Sequence, residues 1–165
     1  MTKQKLVPLE LLGITSDGKF SPVVLLKYED RVLPIMIGMA EADAIHAGLT
    51  HRDLGRPMTH DLICNILAGL RGNVKSVVIY KLENDTFFAH LNIEQQNPNG
   101  DVEQVLRIDS RPSDGIAIAC RVNCPIYAAQ EVMDAASTDW SSLNPPDETD
   151  EPEDQEDSEE PSPEE

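Results

Sequence analysis

Basic residues are scarce in this 165-residue sequence: thirteen Lys and Arg stand against thirty Asp and Glu, a formal charge of −17. Nucleic-acid binding draws on Lys and Arg contacts and counterion release, so attraction of a polyanion by overall charge is excluded. Cysteine is nearly absent. Cys64, Cys120 and Cys124 are odd in number and lack CxxC spacing, which excludes a disulfide framework or a zinc ribbon and leaves small buried thiols. No segment approaches the roughly 20 consecutive apolar residues that span a bilayer, and "MTKQKLVPLELLG" lacks the pattern of a signal peptide. These absences predict a soluble, cytoplasmic chain with no membrane partner. There is no Walker motif, GxGxxG or nucleophile elbow. His46 and His51 are five apart, on different helix faces, so a zinc pair is not expected. No repeat of solenoid period is present.

The acidity is uneven. Thirteen acids and no bases fall in residues 138–165, so residues 1–137 hold seventeen acids against thirteen bases, a net of −4. That final stretch, "TDWSSLNPPDETDEPEDQEDSEEPSPEE", is too rich in acid, proline and serine to offset chain entropy by burial and reads as a disordered tail. Trp140 and Leu143 are its only large apolar residues. A solubilising brush is the plain role for it. A decoy competing with nucleic acid for basic groups, or a docking point for a basic protein, is the sharper one.

Residues 6–38 read as three strands, with turns at Ser16–Lys19 and at Glu29-Asp30. Val23–Leu26 is apolar on both faces, as in a central strand, and Pro34 marks an edge or bulge. "MAEADAIHAGLT" is a first helix. "HDLICNILAGLR" is a second, with Thr59 as N-cap, Leu62/Ile63, Ile66/Leu67 and Leu70 as its apolar stripe and Gly72 as its stop. A second meander follows: "NVKSVVIYKL", a turn at Asn84-Asp85, "TFFAHLNIEQ" and "VEQVLRID". Phe87, Ala89, Leu91 and Ile93 alternate with polar-side residues, where His90 reads as a surface residue. Phe87 and Phe88 point to opposite faces, which disfavours an aromatic RNA-stacking sheet. A third helix from Ser113, the extended "PIYA" and a turn or two at "QEVMDAA" complete the chain. The expected fold is α+β: two antiparallel meanders in a mixed sheet of six or seven strands, with about four packed helices.

Two helix starts carry the chemistry-bearing residues. In Arg111-Pro112-Ser113-Asp114, the proline holds Arg111 extended outside the helix, Ser113 can cap, and Asp114 falls in the first turn. Arg56-Pro57-Met58-Thr59-His60-Asp61 repeats the arrangement. Such caps and first-turn aspartates are ordinary helix chemistry, and Arg111 can pair with Asp109 or Asp114. The functional alternative is an anion site, in which free N–H groups beside a fixed arginine hold a phosphate. The two aspartates would oppose the phosphate unless Asp109 and Asp114, with Glu41 as a further ligand, bind a divalent cation such as Mg²⁺ or Mn²⁺. A metal-bound water could then attack a phosphodiester, with arginine on the developing charge and His60 as general acid or base.

"IGMAEADAI", "RPMTHDL", "TFFAHL", "IDSRPSDGIAIACR" and "CPIYAAQEVM" resemble, in order and spacing, the bifunctional nuclease domain family. The resemblance covers residues 6–136. It implies an α+β domain that self-associates, and nuclease activity on RNA and DNA as in the family's plant members. By motif it points to Glu41, His60, Asp61, Asp109, Arg111, Ser113 and Asp114, to which the second helix start adds Arg56 as a substrate contact. The sequence departs from the family's pattern at Gly115, where alanine is usual. The expectation is a domain over residues 1–137 that hydrolyses phosphodiester bonds of RNA or DNA with His60, Asp61, Asp109 and Asp114 in the chemistry. The alternative is a non-catalytic, homo-oligomeric module that binds an anion or a protein.

Overall fold

The computed structural model describes residues 4–16, 21–53 and 55–143. The turn at Ser16–Lys19 falls partly outside these residues, and the stretch 144–165 of the acidic tail lies wholly outside them.

Strands β1 (Leu6–Thr15), β2 (Val23–Tyr28) and β3 (Arg31–Met36) form one antiparallel meander. Strands β4 (Gly72–Glu83), β5 (Thr86–Gln96) and β6 (Val102–Ser110) form the other. The short strand β7 (Ile126–Ala129) joins them, running parallel to β4 and antiparallel to β1. With β8 (Thr138–Asp139) on β3, the sheet has eight strands in the order β6-β5-β4-β7-β1-β2-β3-β8. The α+β expectation therefore holds, with β7 and β8 added to the meanders. Thr138 and Asp139, assigned to the tail on composition, pair with Val32 and Arg31. The following turn of helix, α5 (Trp140–Leu143), brings the Trp140 ring beneath the Lys27 ammonium.

Residue patterning explains the layers. In β2, Val24 and Leu26 are fully buried between two neighbouring strands. Pro34 pairs with Leu25 on one side and lies beyond the two-residue β8 on the other, so its missing N–H costs no ladder bond. Ala89, Leu91 and Ile93 turn one face of β5 into core. Helices α1 (Met39–Leu49), α2 (Thr59–Gly69) and α3 (Pro112–Val122) pack together beside the β4–β5 ladder, and α4 (Gln130–Ala136) covers β4 and β7.

α3 is the hub. Ile116, Ala117, Ile118 and Ala119 are all buried, as its apolar sequence predicts. It approaches β4 so closely that a Cβ on Gly115 would lie 2.7 Å from Val77 Cγ1. Glycine is required there by the β-branched side chain below it, which accounts for the departure from alanine. Gly48 does the same for α1, since a Cβ would lie 2.9 Å from Cys120 Cβ of α3.

The helix ends differ from expectation in three places. α2 begins at Thr59 itself, with Met58 as N-cap; Asp61 Oδ2 accepts the Met58 N–H at 2.9 Å, so the aspartate replaces the threonine as cap. Its C-terminal reversal falls on Arg71 at φ 56°, and Gly72 is already in β4. α3 has Arg111 as N-cap and Pro112 in its first turn, so Ser113 is inside the helix rather than capping it.

Candidate active site at three converging helix starts

The first turns of α1, α2 and α3 supply charged side chains that fall into two linked groups. Glu41 comes from α1, His60 and Asp61 from α2, and Asp114 from α3. Proline at position 112 holds the Arg111 backbone extended, at φ −70° and ψ 148°. Its guanidinium turns back over its own helix: Nε donates to Asp114 Oδ2 at 2.8 Å and Nη2 to Asp114 Oδ1 at 3.2 Å. Nη1 donates to Glu41 Oε1 at 2.8 Å. His60 Nε2 lies 3.1 Å from Asp114 Oδ1; facing a carboxylate, that nitrogen is the donor. The result is a chain Glu41–Arg111–Asp114–His60. Arg111 is its exposed member at 64%, against 22% for Glu41 and 14% for His60.

The electrostatics follow from these contacts. Burial pushes the Asp114 carboxyl up, but the Arg111 and His60 hydrogen bonds outweigh it, and Asp114 is held below the usual carboxylate range. The backbone N–H of its own residue, then Arg111, lowers Glu41. Arg111 is pushed above its ordinary value by Asp114 and then Glu41. All three are therefore charged at neutral pH.

A guanidinium has five N–H donors. Three are used here, so two remain. Arg111 lines a cleft of about 410 Å³ together with Glu41 and Ser113, with Ile37 and Gly38 before α1, and with Asp85 and Thr86 at the β4–β5 turn. The N–H groups of Ser113 and Asp114 in the first turn of α3 have no intrahelical acceptor. A helix start beside an exposed arginine is suited to an anion.

The other expected site residues fall outside this cleft. His60 reaches it only through Asp114 and is not part of its lining. Asp61 belongs to a second pair: Arg121 Nε donates to its Oδ1 at 2.5 Å, while Arg121 Nη1 binds the carbonyls of Ala44 and Ala117 at 2.8 Å. Arg121, then the Met58 N–H, holds Asp61 below its ordinary value. This pair ties α1, α2 and α3 together and is structural. Arg56 is exposed in the bend before α2 and has no partner among the described residues.

Asp109 is on the wrong side of the sheet for the expected site. Ser110 Oγ lies 3.4 Å from the Cβ position of Gly115, so Ser110 faces α3. The preceding residue of a strand faces the opposite way, and Asp109 pairs across the ladder with His90 on the far face. It lines a separate cleft there with Gln4, Tyr80, His90 and Arg107. His90, expected at the surface, is only 8% exposed.

The expected Mg²⁺ or Mn²⁺ ligands thus do not converge in this geometry. Asp109 is on the other face, and Arg111 stands between the Glu41 and Asp114 carboxylates. Among the described residues, no group of three or more His, Cys, Asp or Glu is placed to hold a metal ion. Glu41, Asp109 and Asp114 therefore do not form a shared ligand set in this arrangement. The three cysteines are free and half-buried. Burial raises all of them, Cys124 to about 11, as expected of inert thiols.

Sequence reasoning missed Asp85 and Thr86 as cleft residues and Arg121 as the partner of Asp61. The Asn84-Asp85 turn was visible, but its proximity to α3 depends on how the second meander lies against the helices. Arg121 had a signal: it is the lone charge in the apolar body of α3.

Comparison with known proteins agrees with the motifs. Residues 23–141 match the family described as the bifunctional nuclease domain. An uncharacterized protein of Mycobacterium tuberculosis is 39% identical over 132 residues, covering 79% of this chain and 72% of its own. Bifunctional nuclease 1 of Arabidopsis thaliana is 28% identical over 108 residues, 64% of this chain and 32% of its own. Bifunctional nuclease 2 of the same plant is 27% identical over 106 residues, 62% of this chain and 31% of its own. The chain thus spans about a third of the length of these plant relatives. With more than half of its residues matched by the family and with a bacterial relative aligned over most of both chains, this protein belongs to the bifunctional nuclease domain family.

Proposed function

We propose that the protein hydrolyses phosphodiester bonds of RNA or DNA, and that the cleft between Arg111 and Glu41 holds the scissile phosphate. Family membership and the names of the two plant relatives support the reaction class. The observation that carries the location is Arg111, clamped by two carboxylates with two N–H donors left over at the start of α3.

In this reading the free guanidinium N–H groups and the α3 amides bind the phosphoryl oxygens and stabilise charge that develops on them. Glu41 lines the cleft and accepts a hydrogen bond from the attacking water. The water oxygen forms a bond to phosphorus as Glu41 takes the water proton, and the bond to the sugar oxygen breaks, that oxygen leaving as an alkoxide that takes a proton from solvent. A carboxylate held this low is a weak base, so orientation and charge carry most of the effect. His60 and Asp114 act as positioning residues that fix the Arg111 fork. This transfers His60 from the proton chemistry expected of it, because Asp114 stands between it and the cleft.

The test is cleavage of a labelled single-stranded RNA and DNA by the purified full-length chain, with Mg²⁺, with Mn²⁺ and with chelator. Arg111→Lys keeps the charge but loses the fork; its kcat/KM is expected to fall at least about tenfold, in line with loss of a bidentate contact. No cleavage under any condition, or equal cleavage by Arg111→Lys, would sink the reading.

The non-catalytic alternative keeps one specific support, an exposed apolar stripe on α2. Met58, Leu62, Ile66 and Leu70 recur every fourth residue and are all exposed. Separately, β6 is an open sheet edge with Val102, Val105 and Ile108 exposed. An open antiparallel edge can pair with an identical one, so a second copy of this chain is the occupant we infer. Self-association is compatible with either function.

A further inference from the structure

Two of the quoted motifs place residues on the sheet face away from α3. His90 of "TFFAHL" and Asp109 of "IDSR" are cross-strand partners on β5 and β6, and Arg107 lies two residues before Asp109 on the same face. Tyr80 of β4 completes the group, its ring centroid 5.1 Å from that of His90, and Phe88 lies 6.4 Å beyond Tyr80. Adjacent phenylalanines diverge, as expected, yet Tyr80, Phe88 and His90 from two strands make an aromatic cluster, with Phe88 tilted 53° and His90 45° to Tyr80. Around it is a cleft of about 340 Å³, within the size range of small-molecule sites.

Three features bear on what it holds. His90 is more than nine-tenths buried, lines this cleft, and has no hydrogen-bond partner for its ring among the described residues. Burial, then Arg107, lowers its pKa, so the ring is neutral and offers one donor and one acceptor. Arg107 and Asp109 are likewise without a hydrogen-bond or ion-pair partner among the described residues, although they are two apart on one strand. Their backbones are about 7 Å apart at strand spacing.

The charges here balance. Lys75 is tied to Glu94 and Lys81 to Glu83, which leaves one cation and one anion at the cleft. Such a pair has no net attraction for phosphate. It does suit a neutral planar ring that presents acceptors on one edge and donors on the next. Arginine donates in a fork to guanine O6 and N7. A carboxylate accepts from the adjacent N1–H and N2–H groups. Adenine has no such neighbouring pair of donors.

We propose that this cleft is a nucleobase site selective for guanine, with the base against Tyr80 and His90, Arg107 on its O6/N7 edge and Asp109 on its N1/N2 edge. The site rests on the nuclease reading for the class of its ligand, and because it lies on the sheet face opposite the Arg111 cleft it would take a base remote from the bond that is cut. A mononucleotide has no phosphodiester to cut, so its binding is measured independently of turnover.

The experiment is calorimetric titration of the full-length chain with GMP, AMP, CMP and UMP, alongside imidazole NMR signals of the four histidines. GMP is expected to bind at least tenfold more tightly than AMP and to shift the His90 signals. Asp109→Asn and Arg107→Gln, both at exposed positions, should each weaken GMP at least fivefold with an unchanged melting temperature. Equal affinity for all four nucleotides, no binding of GMP at millimolar concentration, or GMP shifting His60 rather than His90 would each overturn the proposal.

Discussion

Gly115 shows how one missing methyl group sets the depth of α3 on the sheet. A glycine inside a helix costs about 1 kcal/mol relative to alanine, yet the Cβ would collide with Val77 Cγ1 at 2.7 Å. Gly115→Ala is therefore expected to destabilise the protein by about 1–3 kcal/mol despite its better helix propensity. Val77→Ala should remove most of that penalty in the double variant, measured as a coupling in denaturant unfolding. Simple addition of the two effects would refute the contact. Arg121 acts at the same scale. Its side chain is 10% exposed and satisfies Asp61 and two carbonyls. Arg121→Leu takes the arginine bonds from all three groups, leaving Asp61 with only the Met58 N–H, and should cost about 2–4 kcal/mol, whereas Asp61→Asn, which keeps an acceptor for the arginine, should cost less.

The elements were mostly legible and their neighbours were not. Period-two alternation identified β5, and an apolar sequence after Pro112 identified α3 and its burial, because those signals are local. β7 was read only as a short extended piece. Its insertion between β4 and β1 is a choice of partners made by distant residues. β8 was hidden in acidic composition, though two residues of it pair with β3. The candidate site divides in the same way. Arg111, Asp114, Glu41 and His60 were named from helix starts, and the structure brings these four together. Asp109 was grouped with them because it is near in sequence, but strand alternation and the pairing with His90 place it behind the sheet. α2 also reads differently at this scale: Ile63 and Leu67 meet the core, while Leu62, Ile66 and Leu70 face out. Leu62→Glu should lower the oligomeric mass in sedimentation with little change in melting temperature. An unchanged mass would remove the α2 face from the interface.

Over the whole molecule, charge sets the response to pH and salt. Glu41, Asp61 and Asp114 all have folded pKa values below their ordinary range. Their stabilisation is complete above the ordinary carboxylate value of about 4 and is lost as pH falls through the lower folded values. His90 is also lowered, so the unfolded chain binds its proton first. Stability should thus begin to fall below the ordinary imidazole value of about 6.5. In melting temperatures measured from pH 8 to 5, His90→Gln is expected to flatten this fall relative to the parent chain. An identical slope in both would contradict the assignment. Twelve of the thirty acids lie in residues 144–165. If they compete with nucleic acid for the basic groups, a chain ending at Leu143 should bind RNA more tightly at low salt, the difference vanishing at high salt.

The most direct measurement is single-turnover cleavage of a labelled single strand by Glu41→Gln beside the parent protein. Glutamine keeps the size and the hydrogen bond to Arg111 but cannot take a proton from water. The account predicts a rate lower by at least about tenfold, because Glu41 is a weak base that mainly orients the water, with strand affinity within twofold of the parent. Cleavage by Glu41→Gln at the parental rate, from a folded protein, would place the chemistry outside this cleft.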